Sequence, residues 1–147
     1  MLIYTDGGCS GNPGPGGWAY VIVDESSRSV LVEKWGAEKV TTNNRMELLA
    51  VISALEALSG LAQSGEIKVF TDSQYVQKGM CSWIKDWKSR GWKTAGKTPV
   101  KNQDLWQRLD GLAAGLPVSW HWVKGHAGNE FNERCDDLTQ KAIFSIA

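Results

Sequence analysis

Two aspartates carry the first chemical signal in this chain. Asp6 follows the strand-forming run Leu2-Ile3-Tyr4-Thr5 and precedes the pair Gly7-Gly8, and Asp72 closes the run Ile67-Lys68-Val69-Phe70-Thr71. Each run reads as a short buried strand. In open α/β sheets, ligands gather outside the carboxyl ends of strands. Two strands that finish in Thr-Asp therefore predict two carboxylates side by side at one sheet edge. Like charges at that range repel unless a cation lies between them. The expectation is a carboxylate cluster that binds a hard divalent metal.

The elements that must hold this cluster can be read in order. Gly11-Asn12-Pro13-Gly14-Pro15-Gly16-Gly17 is a turn region, too tight for a helix. Strands are expected over Trp18 to Val23 and Val30 to Trp35, which with the first makes an antiparallel meander. Thr41-Thr42-Asn43-Asn44 offers several helix N-caps, after which Met46, Leu49, Val51, Ile52, Leu55 and Leu58 recur at helical spacing, with Gly60 as a stop. Glu47 is expected in the first turns of that helix, beside its apolar stripe. After the strand ending at Asp72, a helix begins at Ser73 and a short amphipathic one runs from Ser82 to Lys88. Helices over about 102–114 and 130–146 bracket a last strand, Val118 to Val123, and the loop Lys124 to Asn129. Strands first, then alternating helices and strands, predict an α/β fold: a mixed five-stranded sheet flanked by helices.

Composition narrows the function. The 147 residues suffice for one domain with its own core. No apolar run could span a bilayer and no leader pattern is seen, so no membrane partner is expected. Cys9, Cys81 and Cys135 are odd in number and widely spaced, which fits neither a disulfide framework nor a zinc site and suits a reducing cytoplasm. The net charge of zero hides a segregation: Lys78 to Lys101 holds seven basic residues against one acid, Asp86. A basic stripe on an otherwise acidic protein points to a polyanion bound at one place. Trp83, Trp87 and Trp92 interleave there with Lys85, Lys88, Arg90 and Lys93, so basic groups can meet phosphates while aromatic planes lie against sugars or bases.

Taken singly, each acid has a plain structural explanation. Asp6 could start a turn, Asp72 could cap the next helix, and Glu47 could simply favour a helix dipole. Asp136 and Asp137 are adjacent on a helix, and periodicity does not choose between them. The motifs decide jointly. Thr5-Asp6-Gly7-Gly8 with Gly11 to Gly17, Thr41 to Leu48, Thr71 to Val76, and Trp122 to Gly128 continuing through Asn132 to Asp136 together resemble type 1 ribonuclease H. The likeness runs in order along nearly the whole chain. It implies the ribonuclease H-like fold, a single domain over 1–147 acting as a monomer, and an endonuclease that cleaves the RNA strand of RNA–DNA hybrids. It also implies that the metal-binding carboxylates are Asp6, Glu47, Asp72 and Asp136, and that the catalytic histidine is His126.

Carboxylates suit that chemistry, because Mg²⁺ prefers oxygen ligands and keeps several waters; Mn²⁺ is the alternative ion. Two ions about 3.5–4 Å apart can activate a water and stabilise a leaving 3′ oxygen, leaving 3′-hydroxyl and 5′-phosphate ends. Distinguishing RNA from DNA requires contact with 2′-hydroxyls. The resemblance places Cys9, Asn12, Asn44, Ser73 and Gln74 around the scissile RNA stretch, with Glu47 accepting a 2′-hydroxyl. Thr42 and Asn102, with Asn43 also among the substrate-contacting residues, fall around a pocket for a DNA-strand phosphate. Val40 stands where some relatives carry a basic residue, which weakens that pocket unless Lys39 substitutes. His121, between Trp120 and Trp122, is expected to be structural. Two rival readings remain: a non-catalytic hybrid-binding module, which should lack at least one carboxylate, and a DNA-cutting nuclease of the same fold, which should lack this basic tryptophan-rich segment paired with a Gly-His-Ala-Gly loop.

Overall fold

The computed structural model describes residues 1–61, 65–124 and 129–146. Strands β1 (Leu2–Cys9), β2 (Gly14–Val23) and β3 (Val30–Thr41) form the antiparallel meander; β4 (Ile67–Thr71) and β5 (Val118–Trp122) join in parallel, giving the order β3-β2-β1-β4-β5. The mixed five-stranded sheet is thus as expected. Its side chains alternate between two cores, as the period of a strand requires. Ile3, Tyr20 and Ile22 pack with Leu48, Val51 and Ile52 of α1 (Asn43–Ala57) and with Trp106 and Leu109 of α4 (Gln103–Ala113). Leu2, Tyr4, Val21 and Val23 pack on the other side against Phe131, Cys135 and Leu138 of α5 (Glu130–Ile146). The central strands are covered on both faces, so they read as near-continuous apolar runs.

Several boundaries differ from the sequence expectation, each for a steric reason. β1 does not end at Gly7-Gly8; it continues to Cys9, pairing Gly7 with Trp18 and Gly8 with Gly17, and Asp6 lies within it. The glycines serve close approach, not termination: a Cβ at Gly7 would overlap the backbone of Met46 and Glu47, and one at Gly17 would meet Thr139 O and the Ala142 side chain. Gly14 to Gly17 likewise belong to β2 and not to a turn. β3 runs past Trp35 to Thr41, so the cap of α1 is Thr42, whose hydroxyl accepts from Arg45 N at 3.3 Å. The helices expected from Ser73 and from Ser82 are one continuous rod: α2 (Gln74–Lys78), a π-helical turn (Gly79–Trp83) and α3 (Ile84–Ser89). The Trp106 ring lies on Gly79, where any Cβ would overlap it. π-helical turns of this kind often accompany functional sites.

Candidate active site

Parallel pairing of β1 with β4 sets Thr5 opposite Thr71, so the residues that follow, Asp6 and Asp72, emerge side by side on one face. Glu47 reaches them from the other layer. Because Gly7 has no side chain, the first turns of α1 pack directly on β1 and bring Glu47 to the carboxylates. The expectation that Glu47 sits beside its helix's apolar stripe is therefore corrected: it is buried, 8% exposed, like Asp6 at 6%. Asp6, Glu47 and Asp72 each offer a carboxylate oxygen, all within 4.8 Å of one another.

Asp136 approaches from α5. It is half-buried while Asp137 is exposed, and its charge acts on Asp6, so tertiary packing makes the choice that helical period left open. Asp72 does not cap the following helix; Ser73 does, accepting from Val76 N at 3.1 Å. Trp122 Nε1 donates to the Asp72 carbonyl at 3.0 Å, and tethers the backbone that carries this carboxylate.

The electrostatics of the cluster follow from burial and from like charges held close together. Burial first, then the charge of Asp72, push the Asp6 carboxyl up to about 7; Asp136 adds to them, while Thr139 and the Gly7 N–H oppose. Burial and the charges of Asp6 and Asp72 likewise drive Glu47 well above its usual value. Glu47 Oε2 is buried with no hydrogen-bond partner among the described residues. A divalent cation would meet each of these demands at once. The Thr139 hydroxyl, one helical turn beyond Asp136, leans toward Asp6 strongly enough to lower its pKa, yet its oxygen completes no hydrogen bond of good geometry. Its spacing from Asp136 was the one sequence signal that could have flagged it.

Stability should depend on pH through this cluster. Asp6 binds its proton more tightly folded, at about 7, than at its ordinary 3.8. Its contribution to stability is complete below about 4 and is lost as pH rises through 7. Metal-free protein should thus melt at a lower temperature at pH 8 than at pH 5.5, and saturating divalent metal should narrow that difference. Thermal melts in EDTA and in metal check this; equal melting temperatures at both pH values in EDTA would contradict the cluster electrostatics.

The remaining predicted site residues divide into groups. Cys9 is half-buried, its thiol donating to Thr41 O at 3.2 Å and Gly14 O at 3.5 Å. Asn12 Oδ1 accepts from Asn43 N at 3.3 Å, tying the first turn to α1. Asn43, Asn44 and Gln74 are exposed, and Thr42 and Ser73 half-buried. Of the three tryptophans of the basic segment, only Trp83 is exposed; Trp87 and Trp92 are half-buried against the core. Trp83 meets Trp87 in a tilted contact, ring centroids 5.9 Å apart, and Trp87 meets buried Trp106 edge-on at 5.3 Å, so the surface aromatics are braced from within. Lys85, Arg90 and Lys93 are exposed, while Lys88 pairs with Asp110 at 3.2 Å. Arg90 and Lys93 line a cavity of about 420 Å³ with Thr94, Ala95 and Lys97. His121 is structural, as expected, stacked on Phe70 at 5.1 Å with Nε2 2.8 Å from Ser119 Oγ. His126 lies outside the described residues.

The family model for RNase H matches residues 1–144. The chain belongs to the ribonuclease H family. It is 58% identical to the ribonuclease H of Treponema denticola, over 95% of this chain and 94% of the relative. Among solved ribonuclease H structures, LC9-RNase H1, a type 1 RNase H with the type 2 active-site motif, superposes with a TM-score of 0.84 at 34% identity, covering 99% of this chain and 72% of that one. LC11-RNase H1, solved in complex with an RNA/DNA hybrid, gives 0.77 at 28% identity, with 98% and 96% covered. Ribonucleases H use divalent metal, and the Asp6–Glu47–Asp72 cluster of this member is able to hold it.

Proposed function

We propose that this chain is an endonuclease that hydrolyses the RNA strand of RNA–DNA hybrids, with Asp6, Glu47, Asp72 and Asp136 holding two Mg²⁺ ions. The observation that carries the reading is the cluster of three carboxylates, two of them buried, one with a buried oxygen that no group among the described residues satisfies. Bound divalent ions supply positive charge that makes a water nucleophilic at neutral pH and that offsets charge on the leaving oxygen. The chain's own part is to hold those charges and the substrate. Water oxygen bonds to phosphorus as the bond from phosphorus to the 3′ oxygen breaks; the water's proton passes to a nearby base and the 3′ oxygen is protonated. The products are a 3′-hydroxyl and a 5′-phosphate. In this reading Cys9, Asn12, Asn44, Ser73 and Gln74 contact the RNA strand near the carboxylates. The segment carrying Trp83, Lys85, Trp87, Lys88, Arg90, Trp92 and Lys93 offers a basic, aromatic surface for the paired strand.

The full set of carboxylates argues against a non-catalytic binding module. The 147 residues are proposed to act as one ribonuclease H domain and as a monomer. No helix among the described residues is long and apolar enough to cross a membrane, and three free cysteines suit a reducing cytoplasm. The deciding experiment incubates end-labelled RNA–DNA hybrid, double-stranded RNA and double-stranded DNA with the protein and Mg²⁺. Cutting confined to the RNA of the hybrid is expected; comparable cutting of all three overturns the assignment.

His126→Ala should lower kcat by roughly a hundredfold, the low end of the ~10²–10⁴ that a positioned acid or base contributes, with little change in KM. Imidazole titrates near neutrality and assists proton transfer, whereas the carboxylates assemble the site. Wild-type kcat in this variant from pH 6 to 9 would make His126 a bystander.

A further inference from the structure

Asn102 stands at the N-cap of α4, where an asparagine amide usually closes its own helix. Its side chain makes no such bond, and its backbone holds the left-handed conformation, φ 60° and ψ 29°. The amide is engaged elsewhere on two sides. Arg45 Nη1 donates to Oδ1 at 3.3 Å, and Nδ2 donates to the Tyr75 hydroxyl at 3.1 Å. Trp106 Nε1 donates to the same hydroxyl at 2.9 Å.

The polarity of this network is set from both ends, because guanidinium and indole N–H groups only donate. Oδ1 must face Arg45, so Nδ2 must face Tyr75, and the Tyr75 oxygen accepts twice. Asn102 is left with one Nδ2 hydrogen to offer, while its oxygen is turned toward Arg45. Both end groups are themselves held: Arg45 grips Asp104 through two bonds of 3.1 and 2.9 Å, and Trp106 is fully buried over Gly79. The Thr42 hydroxyl accepts from Arg45 N, and its own hydrogen remains to donate.

Resting on the nuclease reading above, we propose that Tyr75 is a positioning residue for substrate binding: it orients the Asn102 amide so that the junction of α1 and α4 presents its remaining Nδ2 hydrogen and the Thr42 hydroxyl as donors, with the amide oxygen turned to Arg45, which suits an anionic phosphodiester oxygen of the hybrid. The Tyr75 ring also touches Trp83 at 5.9 Å and Trp106 at 5.1 Å. The residue thereby couples the tryptophan-rich segment to the donor site, and Tyr75→Phe removes the hydroxyl while keeping those ring contacts.

The test compares wild type, Tyr75→Phe, Asn102→Ala and the double variant. Two readouts are taken: KM and kcat on hybrid with Mg²⁺, and the Kd for fluorescently labelled hybrid in EDTA. Tyr75→Phe should raise KM and Kd about tenfold, the scale of one hydrogen bond to a charged acceptor, with kcat within about twofold. Asn102→Ala should do the same. In the double variant the added Tyr75→Phe change should cost less than about twofold, because both substitutions act on a single hydrogen bond to substrate. The salt dependence of Kd should keep its slope, since the donor removed is uncharged. Unchanged KM and Kd in Tyr75→Phe, or two effects that multiply in the double variant, would overturn the proposal. Wild-type protein that binds hybrid without cutting it would instead sink the nuclease reading, and the Kd comparison would still decide the role of Tyr75.

Discussion

Asp6→Asn is expected to lower Mg²⁺-dependent turnover of RNA–DNA hybrid by at least about 10³-fold. Removing one preorganised neutral donor from an active site already costs ~10²–10³, and here a full negative charge leaves the centre of the ligand cluster. Asp6 lies within 4.8 Å of both Glu47 and Asp72, so every ion held by the cluster feels the change. The same substitution should raise the melting temperature of the metal-free protein at pH 7.5 by a few degrees. Burial and the Asp72 and Asp136 charges that drive the Asp6 carboxyl up to about 7 no longer act on a neutral amide. It should also flatten the difference between pH 5.5 and pH 8 and shrink the thermal shift on adding Mg²⁺. Turnover near wild type in Mg²⁺ would contradict the metal-cluster reading. A destabilised metal-free variant would show that the carboxylate is held by favourable contacts and not by its proton.

Joint replacement of Lys85, Lys88, Arg90 and Lys93 by glutamine should raise KM far more than it lowers kcat. None of the four belongs to the carboxylate cluster, and all four side chains are solvent-exposed. At about 1 kcal/mol for each exposed cation–phosphate pair removed, the rise in KM is on the order of 10²-fold or more. The slope of log Kd against log salt should fall by about 0.9 for each phosphate no longer neutralised on duplex-like substrate. Lys88 already pairs with Asp110, so the other three cations should each account for one phosphate, and a decrease of about 2.7 is the readout. An unchanged slope would return the segment to a merely solvated face.

The chain's order of motifs, read alone, pointed to the fold class, the sheet composition and the three acids, Asp6, Glu47 and Asp72, that the fold brings together. That was possible because strand and helix periods are local, and because Asp6 and Asp72 each follow a Thr at the end of an apolar run. The basic, tryptophan-rich segment was equally legible, being a composition shift within a short stretch. What stayed out of reach depended on contacts between distant segments. The glycine after Asp6 looked like a strand terminator, and only packing shows that it admits α1 and so delivers Glu47 to the cluster. The preference for Asp136 over Asp137 arises from how α5 lies on β1, a rotation that helical period alone leaves free. The expected division of tryptophans between core and surface became definite only where Trp106 buries itself and supports Trp87 and Trp83 in turn. The Tyr75–Asn102–Arg45 network joins residues 27 and 57 positions apart. Hydrogen-bond polarity of that kind is a property of three-dimensional neighbours, so the sequence could name its members but only the tertiary structure could decide which atom each presents.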